Sequence, residues 1–498
     1  MSTDTTPISF RSFQLHSTLL GEPLPPSISL ESTNHCNLRC THCGHTQYTP
    51  FVKGYLDEAY FDKILPHLGP DKISSVNLSD FGEPFMSKGF WKIFSRTRAI
   101  GGLRIGFITN AVLLDRHLDK LDYPGLDITI SIDGASEQTF AQFRGAGYFD
   151  KIVQNLRLLR EREVAGTLPQ SSRSFIAVLS VINVHEMAAI VELAAEVGVK
   201  MIAFSFQTFY EEQRFRKESL YFHRALYDRS LAAACARAAD LGVTVIFPDA
   251  FDGSIRVPRK TMPKSWLWQD EQGRTQCGVI YSTCYIKFHG QVEACCVQDR
   301  YPLGNLNEDE FSDIWHGPYY RRLRQSFATG EWTAPCENCN LMQSIDARRQ
   351  EAHYIIPLRD GGELISMPQP YRINDIEIQY QSVLQQLALD PGHPEKAMPS
   401  LLRIGALGPE LTEITNAIAV SWLTLGQTEK GLNLLRKAAR RVPGDSVIAH
   451  NLRTMDQGET RPTASPAEHS GTPGNMNDGQ SARRGTPLRW IDKMVKRR

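Results

Sequence analysis

An α/β fold is expected for the first half of this chain on three observations: short β-branched runs recur between about Ser27 and Val245, helical stretches separate them, and the runs carry few charges. Such alternation means parallel strands joined by crossover helices. Strands covered on both faces tolerate little charge, and Asp127-Ile-Thr-Ile-Ser-Ile132 reads that way. The strands are expected at 28–30, 73–78, 103–109, 127–132, 175–181 and 201–206, with helices over 155–160 and 188–195 between the later ones.

Composition narrows the function classes. A length of 498 residues with 41% hydrophobic side chains supports about three domains. A formal net charge of +0 excludes a general nucleic-acid binder, which carries a basic excess. The opening Met-Ser-Thr-Asp-Thr-Thr-Pro has no basic region followed by an apolar stretch, and no run approaches a membrane span, so a cytoplasmic protein without a transmembrane segment is expected. The ten cysteines cluster at 36, 40 and 43 and again from 277 to 339, with Cys235 alone in an alanine-rich stretch that reads as helix packing. Clustering of this kind favours metal ligation over disulfides.

The first cluster lies in Glu31-Ser-Thr-Asn-His-Cys-Asn-Leu-Arg-Cys-Thr-His-Cys-Gly44. Iron–sulfur clusters are usually held by four thiolates, so Cys36, Cys40 and Cys43 would leave one iron of a [4Fe–4S] cluster open to a small molecule. A zinc loop is the other reading, because His35, His42 and His45 lie close by. The spacing resembles the radical S-adenosylmethionine (SAM) superfamily, with His42 in the aromatic place of its motif. The resemblance implies a partial six-unit TIM-like barrel with the loop after its first strand, at the end where barrel enzymes place their chemistry. It also implies SAM chelating the open iron, an electron from a flavodoxin or ferredoxin, and a 5′-deoxyadenosyl radical that abstracts hydrogen from the substrate.

Later strand ends carry matching residues. Ser79-Asp-Phe-Gly-Glu-Pro-Phe85 is similar to the family's Gly-Glu-Pro motif, which implies that Gly82 and Glu83 receive the methionine amino group. Asn110, Ser131 and Asp133 resemble family residues that contact the SAM ribose and methionyl parts, and Arg144 one that pairs with the methionine carboxylate. Taken singly, Gly-Glu-Pro and Asp-Gly are also ordinary turns. Asp80-Phe81 departs from the family pattern, where many relatives have a second glycine before Gly82.

A second metal site is expected within 266–345. Alternation in Tyr285-Ile-Lys-Phe and Gln291-Val-Glu-Ala around His289-Gly290 predicts a β-hairpin, with Cys277 and Cys295 flanking it and Cys336-Glu-Asn-Cys339 following. The text from Leu303 to Arg324 is similar to the SPASM/twitch extension of radical SAM enzymes. That resemblance implies an auxiliary [4Fe–4S] cluster on Cys277, Cys295, Cys336 and Cys339, in the shorter twitch form because nothing suitable follows Cys339. Cys284 and Cys296 are left over and would replace one of these or be buried thiols; a zinc ribbon is the other reading of the set.

The remaining segments are expected as an N-terminal extension over 1–26, a barrel over 27–250, a linker or cap over 346–375, a helical region over 376–455, a disordered linker over 456–487 and a short basic amphipathic tail over 488–498. Trp422 to Pro443 resembles one tetratricopeptide helix pair, except that Gly431 stands where alanine is usual. One pair cannot close a core alone, so it must dock on the catalytic body or on a protein partner.

Together these features predict a radical SAM enzyme. A single auxiliary cluster suits a net two-electron oxidation, and relatives of that shape include dehydrogenases of sugar-like or aminocyclitol alcohols. The alternatives are a maturase acting on a ribosomal peptide or protein, and a noncatalytic iron–sulfur scaffold. Within the maturase reading, a leader-binding domain before the barrel is not expected, because about 26 residues are too few for a folded module.

Overall fold

The computed structural model describes residues 8–19, 23–47, 52–209, 211–256, 267–269, 275–296, 302–330, 336 and 373–458. Its strands are β1 (Ser27–Leu30), β2 (Ser75–Asn77), β3 (Arg104–Thr109), β4 (Leu126–Ser131), β5 (Ser172–Leu179), β6 (Met201–Phe206), β7 (Thr244–Ile246), β8 (Leu267–Gln269), β9 (Thr275–Cys277), β10 (Thr283–Ile286), β11 (Gln291–Glu293) and β12 (Pro302–Asn305). Ten of them form one sheet in the order β12-β11-β10-β1-β2-β3-β4-β5-β6-β7, while β8 and β9 pair separately.

From β10 across to β7 every pairing is parallel, whereas β10, β11 and β12 form an antiparallel meander. The first seven strands therefore make an open, partial α/β barrel, and the later meander extends the same sheet beyond β1. Burial alternates along β4: Leu126, Ile128 and Ile130 are buried, while Asp127, Thr129 and Ser131 are half-buried. Equal coverage of both faces was the expectation. One face instead packs on helices while the other lines the barrel interior, where a site needs room.

The crossover helices bury one stripe each. Phe149–Val164 buries Phe149, Ile152, Val153, Leu156 and Leu159, the spacing of an amphipathic helix. Met187–Glu196 is apolar over most of its surface and buries Ile190, Val191 and Ala194. Cys235 sits half-buried in the helix Arg224–Leu241 and packs against the core.

Five helices follow at Ile373–Leu389, Met398–Leu407, Thr412–Thr424, Thr428–Arg441 and Ser446–Gly458, so the helical region begins before 376 and runs past 455. The pair around Gly431 packs so closely that an added Cβ would lie 2.6 Å from Leu423 Cδ2 and 2.9 Å from Ala419 O, which explains glycine in place of alanine. Helix content is what the structure supports here; the tetratricopeptide likeness rests on the sequence positions alone. The region docks on the body through Arg321, whose NH1 lies 2.9 Å from Glu413 Oε1.

The N-terminal extension is part of this helical region. Leu19 and Phe13 are buried in its two apolar clusters. The expectations for 346–372 and 459–498, together with Cys339, lie outside the described residues. Among the described residues no helix is long and apolar enough to cross a membrane.

Candidate functional site

The C-terminal ends of β1 to β4 present the residues that the sequence singled out for the SAM-binding site. After β1 comes the cysteine loop, in which the Cys40 thiol is buried and those of Cys36 and Cys43 are half-buried. Burial pushes the Cys36 thiol up to about 11 and the Cys40 thiol up to about 12, so each is a neutral thiol near neutral pH unless a metal takes its proton. Donors already point at them: Leu38 N lies 3.5 Å and Asn110 Nδ2 3.9 Å from Cys36 Sγ, and Arg144 NH1 lies 3.9 Å from Cys40 Sγ. Such donors favour a thiolate, which is what an iron–sulfur cluster binds. Among the described residues no three His, Cys, Asp or Glu side chains converge as a single ion requires.

Gly82 brings the loop after β2 against the cysteine loop. A Cβ there would lie 2.8 Å from both Asn34 Cα and His35 O, and would also strike Thr33 O, all main-chain atoms that cannot swing aside. Glu83 is held with both oxygens occupied: Thr109 Oγ1 donates to Oε1 at 2.7 Å and Asn110 N to Oε2 at 2.8 Å. Burial nevertheless pushes its carboxyl up to about 7. Asn110 donates from Nδ2 to Asn37 Oδ1 at 2.9 Å, tying the end of β3 to the cysteine loop. The next residue, Ala111, has φ 60 in the left-handed region, a strained conformation without glycine.

Ser131 ends β4, and Asp133 follows it with no exposed surface. Asp133 accepts from Val178 N at 2.8 Å and from Arg144 Nε at 2.6 Å. His42 Nε2 lies 3.6 Å from Asp133 Oδ2, beyond hydrogen-bond reach, and burial pulls the imidazole down to about 4, so it is neutral. Its Nδ1 is buried without a partner. The same holds for Oε1 of Gln207, which is 2% exposed just past β6 and lines a small polar cavity together with His42 and Arg214. Thus His42, Gly82, Glu83, Asn110, Asp133 and Arg144 interlock around the cysteine loop, and Ser131 stands at the same sheet end. Thr109 and Asn37 were not selected from sequence, although Thr109 adjoins Asn110 and Asn37 adjoins Cys36.

Asp80 and Phe81, the departure noted above, have a structural role here. Lys287 in the β10–β11 turn is 4% exposed, and its Nζ lies 2.6 Å from Asp80 Oδ2 and 4.5 Å from the Phe81 ring centroid. The hairpin is thereby fastened to the loop that carries Gly82 and Glu83. It runs as expected, with Tyr285 opposite Glu293. Cys277 ends β9, Cys295 follows β11, and Cys336 is half-buried. Cys284 is sealed beside Tyr320, and burial pushes its thiol up to about 12, whereas Cys296 is exposed.

Comparison with known proteins agrees with this architecture. The radical SAM superfamily model matches residues 30–194, and the model of an iron–sulfur cluster-binding domain, SPASM, matches 277–340. Residues 30–194 therefore carry a radical SAM domain and residues 277–340 a SPASM-type domain, the cofactors of that class being a SAM-binding [4Fe–4S] cluster and an auxiliary iron–sulfur cluster. Mycofactocin maturase MftC of Mycolicibacterium smegmatis is 25% identical over 64% of this chain and 76% of its own length. The PqqA peptide cyclase of Methylobacterium nodulans is 25% identical over 64% of this chain and 79% of its own. A match to the GTP 3′,8-cyclase of Synechocystis sp. is 34% identical but spans only 25% of this chain and 39% of that enzyme.

Proposed function

We propose that this protein is a radical SAM maturase that modifies a peptide or protein. Cys36, Cys40 and Cys43 hold the SAM-binding [4Fe–4S] cluster, and Cys277, Cys295, Cys336 and Cys339 hold a second one. When bound, the first cluster and SAM together supply a 5′-deoxyadenosyl radical. Glu83, braced by Thr109 and Asn110, presents its carboxylate to the SAM ammonium. Arg144, fixed by Asp133, directs its guanidinium toward the cysteine loop and the SAM carboxylate. Gly82 lets that loop close down, Asn110 and Ser131 reach the ribose and methionyl parts, and neutral His42 offers an uncharged ring. A flavodoxin or ferredoxin supplies the electron.

The observation that supports the substrate class is that relatives similar over 64% of this chain include a maturase and a peptide cyclase, beside an AdoMet-dependent heme synthase similar over 60%. This favours the peptide reading over oxidation of a sugar-like or aminocyclitol alcohol. The test is anaerobic reconstitution with SAM and dithionite, quantifying 5′-deoxyadenosine and iron, in wild type and in Cys36→Ala/Cys40→Ala/Cys43→Ala. Peptides encoded beside the gene and aminocyclitols are supplied in parallel. Deoxyadenosine that depends on the three cysteines, with a mass change on a peptide, supports the reading. Turnover of an aminocyclitol alone returns the first expectation, and iron-loaded protein that cleaves no SAM returns the scaffold.

A further inference from the structure

Residues 8–19, which form one 3₁₀ turn at Phe10–Ser12 and no regular element after it, lie against the helical region. The main chain of Gln14 is gripped on both sides by two asparagines that are themselves 0% exposed. Gln14 N donates to Asn451 Oδ1 at 2.7 Å, and Gln14 O accepts from Asn451 Nδ2 at 2.8 Å and Asn416 Nδ2 at 3.1 Å. Asn451 also donates to Asn416 Oδ1 at 2.9 Å, which locks the two amides to each other. Further along, Tyr380 donates to His16 O at 3.0 Å, and Leu19 N donates to Glu377 Oε2 at 2.6 Å. These partners come from three different helices, Ile373–Leu389, Thr412–Thr424 and Ser446–Gly458.

The chemistry is that of main-chain recognition. A buried side-chain amide carries both a donor and an acceptor, and so satisfies the peptide groups of an extended segment whatever its side chains are. Burying two asparagines in an apolar module is costly unless such a segment completes their hydrogen bonds. Side-chain selectivity is added by the apolar clusters that receive Phe13 and Leu19. We propose that this groove is a binding site for an extended polypeptide with spaced apolar residues, and that residues 8–19 occupy it as a built-in competitor. The assignment stands on these contacts and not on the maturase reading; if both hold, the groove is where the substrate polypeptide docks.

A tethered competitor acts at an effective concentration in the millimolar range, so it weakens the apparent affinity for a free peptide of intrinsic Kd near 10 μM by about 100-fold. The experiment uses the full chain, and its readouts need neither cluster nor SAM. A fluorescein-labelled peptide of the sequence 8–19 is titrated by anisotropy into wild type, into Phe13→Asp/Leu19→Asp, and into that variant with Asn416→Ala/Asn451→Ala added. Tighter binding by about 100-fold on releasing the segment, lost again when the asparagines are removed, is expected. Hydrogen exchange on wild type gives an answer even where a variant fails to fold: the amides of Gln14 and Leu19 must exchange well before those of the helix Thr412–Thr424. Exchange of segment and helix as one unit makes residues 8–19 a permanent part of the core and overturns the proposal. Independent exchange with no binding of the peptide by a folded, released variant overturns it equally.

Discussion

Arg144 and Asp133 form an ion pair sealed from water: Nε lies 2.6 Å from Oδ2, and the side chains are 8% and 0% exposed. Removing one partner of such a pair strands the other charge. Asp133→Ala is therefore expected to cost about 3–5 kcal/mol in denaturant unfolding of the cluster-free protein. Arg144→Met should cost less, because Asp133 keeps the amide of Val178. Equal costs would mean that the amide contributes nothing.

Glu83 makes stability depend on pH in a direction that can be derived. Its folded carboxyl is raised to about 7 from 4.5, chiefly by burial, so the folded protein binds the proton more tightly than the unfolded chain does. The stabilisation is complete below pH 4.5 and is lost as pH rises through about 7, a loss on the order of 3 kcal/mol. Glu83→Gln removes the titration. Unfolding of the SAM-free protein at intervals from pH 5 to 8 should show the variant gaining on wild type as pH rises. A constant difference would place the carboxyl near its ordinary value.

Gly82→Ala puts a methyl group against main-chain atoms of residues 33 to 35. The cost should be near the upper end of overpacking penalties, about 3 kcal/mol. Reconstituted iron per chain should fall as well, because the displaced atoms belong to the segment leading into Cys36. Wild-type melting and iron content would show that the loop yields freely.

Gly431→Ala separates two opposed effects. Alanine gains about 1 kcal/mol of helix propensity. The new Cβ would press on Leu423 and on Ala419 O, and overpacking costs about 1–3 kcal/mol. A net loss is expected, and a raised Tm would show that the helix pair separates at little cost.

Lys287→Met should unfasten the hairpin from the loop after β2. In a double-mutant cycle with Asp80→Asn, a coupling of about 1–3 kcal/mol is expected from a buried pair 2.6 Å apart. Strict additivity would mean that the two side chains contribute independently.

Legibility followed sequence distance. Cys36, Cys40 and Cys43 could be read because their spacing is local, and Glu83, Asn110 and Asp133 because the segments that carry them resemble family motifs and follow apolar runs that mark strand ends. The six strands were placed to within a few residues, whereas β7 at Thr244–Ile246 is too short to carry a period of its own. Lys287 was invisible because Asp80, its partner, is 207 positions away. The segment 8–19 was missed for a similar reason: a stretch with one short 3₁₀ turn, Phe10–Ser12, held by side chains of distant helices, has neither a strand partner nor a helical repeat to announce it.

The placement of β10 beside β1 also bears on how the chain is made. Ser27 pairs with Thr283, so one edge of the first barrel strand has no neighbour until roughly 250 further residues have been synthesised. At 5–20 residues per second that interval is on the order of 10–50 s. During it an apolar strand edge stands open on the ribosome-bound chain, the kind of edge on which aggregation starts.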